Sequence, residues 1–335
     1  MAILVVSKKR FIQRGDRPMT NYIIRRLLLA IVTFLGITIL IYIMSSLAPG
    51  TPLDALMADP GMTKEEAARR SVELGLDKPV YIQYFRWLGE LLRGNMGFSY
   101  TSYRPVADMI FERVGATLVL TVTAIVLSYV IGIPLGLAAA LKPYSLTDYA
   151  TSTFAFVMAG IPSFFLGMLL IYLFAVCLRW LPYGGMYDSS GTRSFFVVVP
   201  HLILPCFAIA MPEIGKVMRH VRNNMLEVLM EDYVRTARAK GVKERGVIIV
   251  HAFRNTLIPI ATILSGSIPF IIGGSVVVER VFGWPGLGTL MINSITSRDY
   301  PVIMGISVIV AVVVLVTNLL VDILYAYLDP RITYN

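Results

Sequence analysis

The sequence has few charged residues for its length. Asp, Glu, Lys and Arg make up 15% of the 335 residues, whereas an ordinary soluble globular chain carries roughly 25%. Hydrophobic residues reach 56%, and the mean hydropathy is +0.70. This scarcity of charge argues against a soluble protein and indicates a chain that lies largely in lipid.

The chain also has little of what metal sites need. Its two cysteines, Cys177 and Cys206, lie in or beside apolar runs, and we interpret them as small apolar side chains because they lack metal-ligand spacing. The three histidines, His201, His220 and His251, belong to no H-E-x-x-H frame. We therefore predict no metal site.

Motifs for catalysis and nucleotide binding are missing as well. Gly215-Lys216 is followed by Val217, not by the Ser or Thr of a Walker A motif, and no G-x-S-x-G nucleophile elbow occurs. We predict that the chain is not an enzyme, has no catalytic residues and takes its energy from elsewhere. Asp322 is the one acid near an apolar run's interior. It favours either a functional role or pairing with a neighbouring residue.

Apolar runs dominate what is present. A membrane-spanning helix needs about 20 residues, and six runs meet or approach this length: 27–47, 117–141, 149–178, 195–211, 257–278 and 302–327. They predict an all-α polytopic membrane protein with about six transmembrane helices. The fourth run carries several prolines and should therefore be buried among other helices. The first run resembles a signal peptide at its end, but its length favours an uncleaved helix.

Basic residues near the ends of the runs predict the orientation. Residues 1–26 and 213–256 hold most of the formal charge of +9, and with six spans both segments lie on one side, the cytoplasm. The predicted organisation is a cytoplasmic segment 1–26, a first helix 27–47, an extracytoplasmic loop 48–113, a core of five helices 114–330 and a cytoplasmic tail 331–335. Both termini are then cytoplasmic.

The long loop 48–113 has signals of its own structure. Thr63 and Glu66 have the spacing of a capping box, and Gly75 is a plausible helix stop. Apolar residues then recur at helical spacing from Val80 to Leu92, which predicts a helix at the membrane interface.

The loop 213–256 predicts a helical elbow. Apolar residues at helical period extend the fourth span into an amphipathic helix, Asp232 can cap a short basic helix over 233–240, and Gly241 can end it. The residues alone leave two interpretations open, namely a surface that docks on another protein and a basic loop held by lipid phosphates.

Several motifs resemble one known family. Residues 232–241, DYVRTARAKG, and 251–259, HAFRNTLIP, resemble the EAA loop of ABC importer permeases. Other stretches resemble the peptide and nickel permeases, B-type subunit: GLDKPVYIQY (75–84), RPV (104–106), GIPSFF (160–165), LPYGG (181–185), ERVFGWPGLG (279–288) and RDYP (298–301). The resemblance covers nearly the whole chain and implies the type I ABC importer permease fold. Arg235 and Thr236 depart from the general EAA pattern, as they do throughout the peptide family.

The resemblance implies a function that the residues alone do not give. It implies the permease subunit of an ATP-driven, binding-protein-dependent importer of di- or oligopeptides in a bacterial or archaeal plasma membrane. Its expected partners are a second homologous permease, two ATPase subunits that bind ATP and Mg, and an extracytoplasmic binding protein. This chain itself is expected to bind no cofactor and no nucleic acid. Alternatives are a permease for nickel or another small solute, and a stand-alone channel or carrier.

Three groups of residues are candidate sites. The resemblance implies that the short helix couples to an ATPase subunit through Tyr233, Arg235, Thr236, Ala237, Arg238, Ala239, Lys240 and Gly241. Thr262, Ser265 and Pro269 belong to a small or weakly polar stripe on the fifth span, which lines either the translocation path or a helix contact. Phe282, Trp284, Pro285 and Gly286 follow the fifth span, and we predict that they contact the binding protein; an aromatic belt is the alternative.

Overall fold

The computed structural model describes residues 19–48, 63, 66, 69, 72, 77–188 and 194–328. Within them the regular structure is helical, and the one β feature is an isolated bridge between Phe98 and Pro105. The helices are α1 (Met19–Leu47), α2 (Val80–Leu92), α3 (Val106–Leu141), α4 (Leu146–Gly160), α5 (Ser163–Leu170), α6 (Phe195–Leu229), α7 (Asp232–Ala239), α8 (Glu244–Gly246), α9 (Arg254–Val281), α10 (Leu287–Thr296) and α11 (Tyr300–Leu328). Two π-helical segments, Ile171–Cys177 and Val247–Phe253, continue α5 and α8.

Four to six candidate membrane spans account for the long apolar helices. In α1, α3, α6 and α11, single helices are long and apolar enough to cross a bilayer. Two bent pairs of helices, Leu146–Gly160 with Ser163–Cys177 at 104° and Glu244–Leu257 with Pro259–Pro269 at 45°, bring the number to six if each pair crosses the bilayer once. The predicted all-α fold with about six spans is confirmed.

The third predicted span differs from a simple helix, because it breaks in its middle. Pro162 disfavours a helical conformation at the residue before it, and Ile161 accordingly ends α4 with an extended backbone, φ −91° and ψ 122°. The chain then restarts as α5 after a sharp bend. A single helix over 149–178 was therefore a wrong expectation.

Helix α6 lies at the centre of the bundle, as its prolines require. It packs against α3, α4, α5 and α9, and Pro200, Pro205 and Pro212 all lie inside it. The contact with α3 depends on the absence of a side chain at Gly136, where a Cβ would lie 2.6 Å from the carbonyl oxygen of Met218. The predicted burial of this span is confirmed.

The ends of α1 and α11 meet. Arg26 Nη1 lies 2.8 Å from Asp322 Oδ2, with the Asp322 side chain 22% exposed. Of the two interpretations of Asp322, pairing with a neighbouring basic residue is the one that the structure supports. Because α11 returns from the far end of the bundle, this pair lies at the same end as α7.

The loop before α3 has the structure that its signals predict, where it is described. Thr63 N–H donates to Glu66 Oε2 at 3.1 Å and Glu66 N–H donates to Thr63 Oγ1 at 3.2 Å, which confirms the capping box. The predicted helix from Val80 to Leu92 is α2. Gly75 and the segments 1–18 and 329–335 lie outside the described residues.

Candidate functional site

The elbow, residues 230–253, is built around the amphipathic helix α7. Val234 and Ala237, respectively 0% and 7% exposed, pack with Val247 and with the end of α6. The opposite face of α7 is polar and exposed. The helix therefore rests on an apolar base formed by its own chain, and its charged face is left for another surface.

Gly241 turns the chain after α7. Its φ is +79°, and its N–H donates to the carbonyl oxygen of Arg238 at 3.0 Å. A Cβ at this position would meet no atom within 4 Å. Glycine is needed here for its backbone conformation and not for space, which confirms the predicted helix stop.

Two side-chain contacts hold α7 in place. Arg238 Nη2 lies 2.8 Å from Glu244 Oε1, and Arg238 Nε lies 3.3 Å from each carboxylate oxygen. Asn255 Nδ2 donates to the Tyr233 hydroxyl at 3.0 Å. Both contacts are exposed, so each contributes more to the geometry of the elbow than to its stability.

The structure divides the predicted coupling residues into two groups. Arg235, Thr236, Ala239 and Lys240 lie on the exposed face, whereas Ala237 faces the interior. Ala237 was predicted to belong to the coupling surface, but helical spacing places it beside Val234 on the buried side of α7. Ala239 is the small residue that the outer face presents.

At the far end of the bundle, the 279–288 loop wraps around a buried carboxylate. Glu279 is 0% exposed and accepts hydrogen bonds from Thr117 Oγ1 at 2.7 Å and from the N–H groups of Gly288 and Thr289 at 2.7 and 3.2 Å. These amides open α10, so the carboxylate lies at the positive end of that helix. The loop is thereby tied to α3 and α10.

The aromatic residues of this loop are part of the core. Phe282 is 2% and Trp284 is 0% exposed, and Trp284 Nε1 donates to the carbonyl oxygen of Ala116 at 2.9 Å. Gly286 is also buried, and a Cβ there would lie 2.4 Å from Thr117 Oγ1. The expectation that Phe282, Trp284 and Gly286 form a contact surface was wrong, because long-range packing covers them. Pro285 is half-buried.

A second buried carboxylate, Asp299, joins the segment before α3 to the start of α11. It is 1% exposed and accepts hydrogen bonds from Ser99 Oγ, from Thr101 Oγ1 at 2.9 Å and from Tyr100 N–H at 3.0 Å. Burial, reinforced by this carboxylate, raises the pKa of Tyr100 to about 12. Sequence reasoning missed this connection. The sequence offered one signal for this contact: Asp299 stands directly before Tyr300-Pro301, and an acid in that position is typical of the start of a helix.

The stripe on α9 is open over most of its length. Thr262, Gly266, Pro269 and Gly273 are exposed. Ser265 lies at the edge of the stripe, where its Oγ donates to Asn318 Oδ1 of α11 at 3.2 Å. An open face suits both a path and a subunit contact, so its assignment to the path stays a prediction.

Comparison with known families places nearly the whole chain. Residues 132–334 match the family described as "Binding-protein-dependent transport system inner membrane component". Residues 19–121 match the corresponding N-terminal family, "Binding-prot-dependent transport system membrane comp, N-term". The boundary between the two matches lies within α3, and the match over residues 132–334 includes the elbow and the 279–288 loop.

Relatives and one solved structure agree with this match. The chain is 45% identical over 317 residues, 94% of this chain and 100% of the relative, to the oligopeptide transport system permease protein AppB of Bacillus subtilis. It is 36% identical over 338 residues, 95% of this chain and 100% of the relative, to the dipeptide transport system permease protein DppB of Escherichia coli.

In fold it is similar to a chain of the inward-facing MetNI methionine ABC transporter, with a TM-score of 0.53, 16% identity and coverage of 66% of this chain and 96% of that one. This likeness concerns the fold, while the sequence relatives carry the family assignment over nearly the full length. The chain therefore belongs to the family of binding-protein-dependent transport system inner membrane components, the membrane-spanning permease subunits of ABC importers.

Proposed function

We propose that the chain is a permease subunit of an ATP-driven importer of di- or oligopeptides and forms half of its translocation path. The observation that carries the proposal is the full-length relationship, at 36–45% identity, to proteins named as dipeptide and oligopeptide permeases. A peptide has charged ends and many backbone polar groups, which suit a broad, wet path between two permeases. The partner is a second, homologous permease subunit.

The elbow is the docking surface for one of two ATPase subunits, which bind ATP and Mg. The exposed polar face of α7 and its apolar base support this role, because a helix held by its own chain can transmit force from a partner. The elbow connects directly to α6 and, through the π-helical segment, to α9. A displacement of α7 therefore moves α6 and also α9, the helix that carries the proposed path residues Thr262, Ser265 and Pro269.

The orientation follows from the basic residues. The elbow, residues 230–253, and both termini are cytoplasmic, with segments 1–26 and 331–335 on that side and residues 48–113 outside. The predicted cytoplasmic loop began at residue 213, but α6 continues within the bundle to Leu229. In this orientation the 279–288 loop lies near the extracytoplasmic binding protein. Of the four residues predicted to contact the binding protein, half-buried Pro285 is the one that remains accessible. The buried Phe282 and Trp284 instead stabilise the loop from within.

Reconstitution tests the proposal. The chain, its partner permease, the two ATPases and the binding protein are placed in proteoliposomes, and ATP-dependent uptake of labelled tri-alanine and of Ni²⁺ is measured. We expect peptide uptake that requires both ATP and the binding protein. Uptake of Ni²⁺ without peptide uptake, or peptide uptake without ATPase subunits, contradicts the proposal.

A further inference from the structure

A polar cluster lies inside the bundle, away from the elbow and the 279–288 loop. Glu213 of α6 has a side chain only 2% exposed and accepts a hydrogen bond from Ser267 Oγ of α9. Lys216, one turn further along α6, lies 3.1 Å from Ser267 Oγ and 3.6 Å from Glu213 Oε1, measured from its Nζ. The family motifs quoted above include none of these three residues.

A third helix adds an unsatisfied group to this cluster. The hydroxyl of Tyr129, on α3, is buried and completes no hydrogen bond with any described residue. Its polar neighbours are Ser267 and Glu213. The hydroxyl lies close enough to Ser267 to interact with it, so helices α3, α6 and α9 all contribute polar groups to this one cluster.

The cluster is deep within the spans. Ser267 is the fourteenth of the 28 residues of α9, and Lys216 lies six residues, or about 9 Å along the helix, before Arg222. Arg222 pairs with Asp148 near the start of α4, with Nη2 to Oδ2 at 2.8 Å. The Arg222–Asp148 pair lies near one end of the bundle, and Lys216 therefore lies deeper in the bundle than this pair does.

Lys216 is the member of the cluster that faces outward. Its side chain remains 34% exposed, on the same helical face as Pro212. Pro212, Ile209 and Gly274 line an open cavity of about 250 Å³ between α6, α9 and the α4–α5 break. Lys216 follows Pro212 by about one turn of α6 and so lies next to this cavity without lining it. Charged side chains within membrane spans generally face the bundle interior or a water-filled cavity and not lipid.

We propose that Lys216 binds the C-terminal carboxylate of the peptide in transit. An ammonium group offers three N–H donors. One N–H is directed at Ser267 Oγ, Glu213 lies beyond hydrogen-bond distance at 3.6 Å, and the exposed part of the side chain leaves donors for a solute carboxylate. The C-terminal carboxylate is common to all linear peptides, which suits a transporter of varied sequences. This inference rests on the proposed function.

Glu213 makes this binding reversible. When the peptide leaves, the buried carboxylate again neutralises Lys216, so that the empty site holds no uncompensated charge. The Lys216–Glu213 distance of 3.6 Å is longer than a close ion pair of 2.7–2.9 Å, which leaves the ammonium available to a competing carboxylate. Glu213 is thus a positioning residue, while Lys216 touches the solute.

The test uses the complete transporter in proteoliposomes, with tri-alanine and tri-alanine amide at concentrations that saturate the binding protein. The charge-balanced double variant Glu213→Gln/Lys216→Gln avoids a lone buried carboxylate. We expect at least a tenfold loss of tri-alanine uptake, a binding-protein-stimulated ATPase rate within about twofold of wild type and unchanged uptake of the amide. Arg219→Gln, on the same helix, is the matched control and should preserve the preference for the free carboxylate.

A second variant keeps the proposal testable if the double variant fails to assemble. Glu213→Gln alone retains Lys216 but removes its internal competitor, and it should raise the uptake ratio of tri-alanine to its amide at least twofold. Equal losses for both peptides, or an unchanged ratio in Glu213→Gln, overturn the inference. Absence of tri-alanine uptake by the wild-type transporter would instead contradict the proposed function.

Discussion

The elbow and the 279–288 loop are both short connections rich in residues that interrupt helices, yet they differ in what their side chains do. In the elbow, polar side chains lie outside, and the apolar contacts are few, centred on Val234 and Val247. In the loop, a carboxylate and two aromatic rings lie inside. The elbow thus exposes polar side chains to a partner, while the loop holds helices α3, α9 and α10 together.

This difference has an energetic consequence. Side chains of the loop are coupled to distant parts of the chain, since Thr117 is 162 residues from Glu279. Those of the elbow bond mainly within about twenty residues, as Arg238 does with Glu244. Changes in the loop should therefore destabilise the protein, whereas changes on the outer face of the elbow should uncouple transport without unfolding it.

The largest expected effect is that of Trp284→Ala. It removes a fully buried indole and its hydrogen bond to Ala116, which costs about 3–5 kcal/mol for a large core aromatic. We expect a marked fall in the temperature at which the detergent-purified chain aggregates, measured by fluorescence-detected size exclusion. Trp180→Ala is the control, because Trp180 is 71% exposed. Equal behaviour of the two variants would contradict the burial of the loop.

Ala237→Glu should have the next largest effect. The new carboxylate would enter the apolar base beneath α7, where burial of a charge without a partner is unfavourable, so the elbow should open and lose its ATPase subunits. Ala239→Glu places the same group on the outer face and should leave the purified chain as stable as wild type while weakening ATPase binding. Co-purification and thermal stability are measured for both. Identical stabilities would show that the two faces are not distinct.

Gly241→Val tests the turn after α7. Holding a side chain at φ +79° costs about 1–2 kcal/mol, and the β-branched residue should tilt the helix relative to its partner. We expect membrane-inserted protein with reduced peptide uptake per ATPase-containing complex. Gly241→Asn is the matched variant, since asparagine tolerates this conformation better. Normal uptake from Gly241→Val would support a loop that merely lies on lipid.

The smallest expected effect is that of Arg238→Gln. The ion pair with Glu244 is exposed, with the two side chains 43% and 58% accessible, and such pairs contribute little because water and salt screen them. We expect less than a twofold change in uptake at 0.15 M salt and a slightly larger one at low salt. A tenfold loss at both salt concentrations would mean that Arg238 contacts the ATPase directly.

Local features of the sequence predicted a large part of this protein. The apolar runs predicted about six spans, because hydropathy and length determine which segments lipid accepts. Thr63 with Glu66, the helix from Val80 to Leu92 and the stop at Gly241 were also predictable, since capping, helical period and positive φ depend on near neighbours. The motifs of the elbow and the 279–288 loop pointed to the family.

Only the tertiary structure decided which of these residues face a partner and which face the core. From its local sequence, Trp284 was expected to be an exposed anchor. In the structure it is buried, and its indole N–H donates to the carbonyl oxygen of Ala116, which is distant in the chain. Glu213 lies just beyond the apolar run 195–211, and only the neighbouring α9 makes it a buried carboxylate beside Ser267. Burial and partnership arise from contacts between distant segments, and neither composition nor local period encodes which segments will meet.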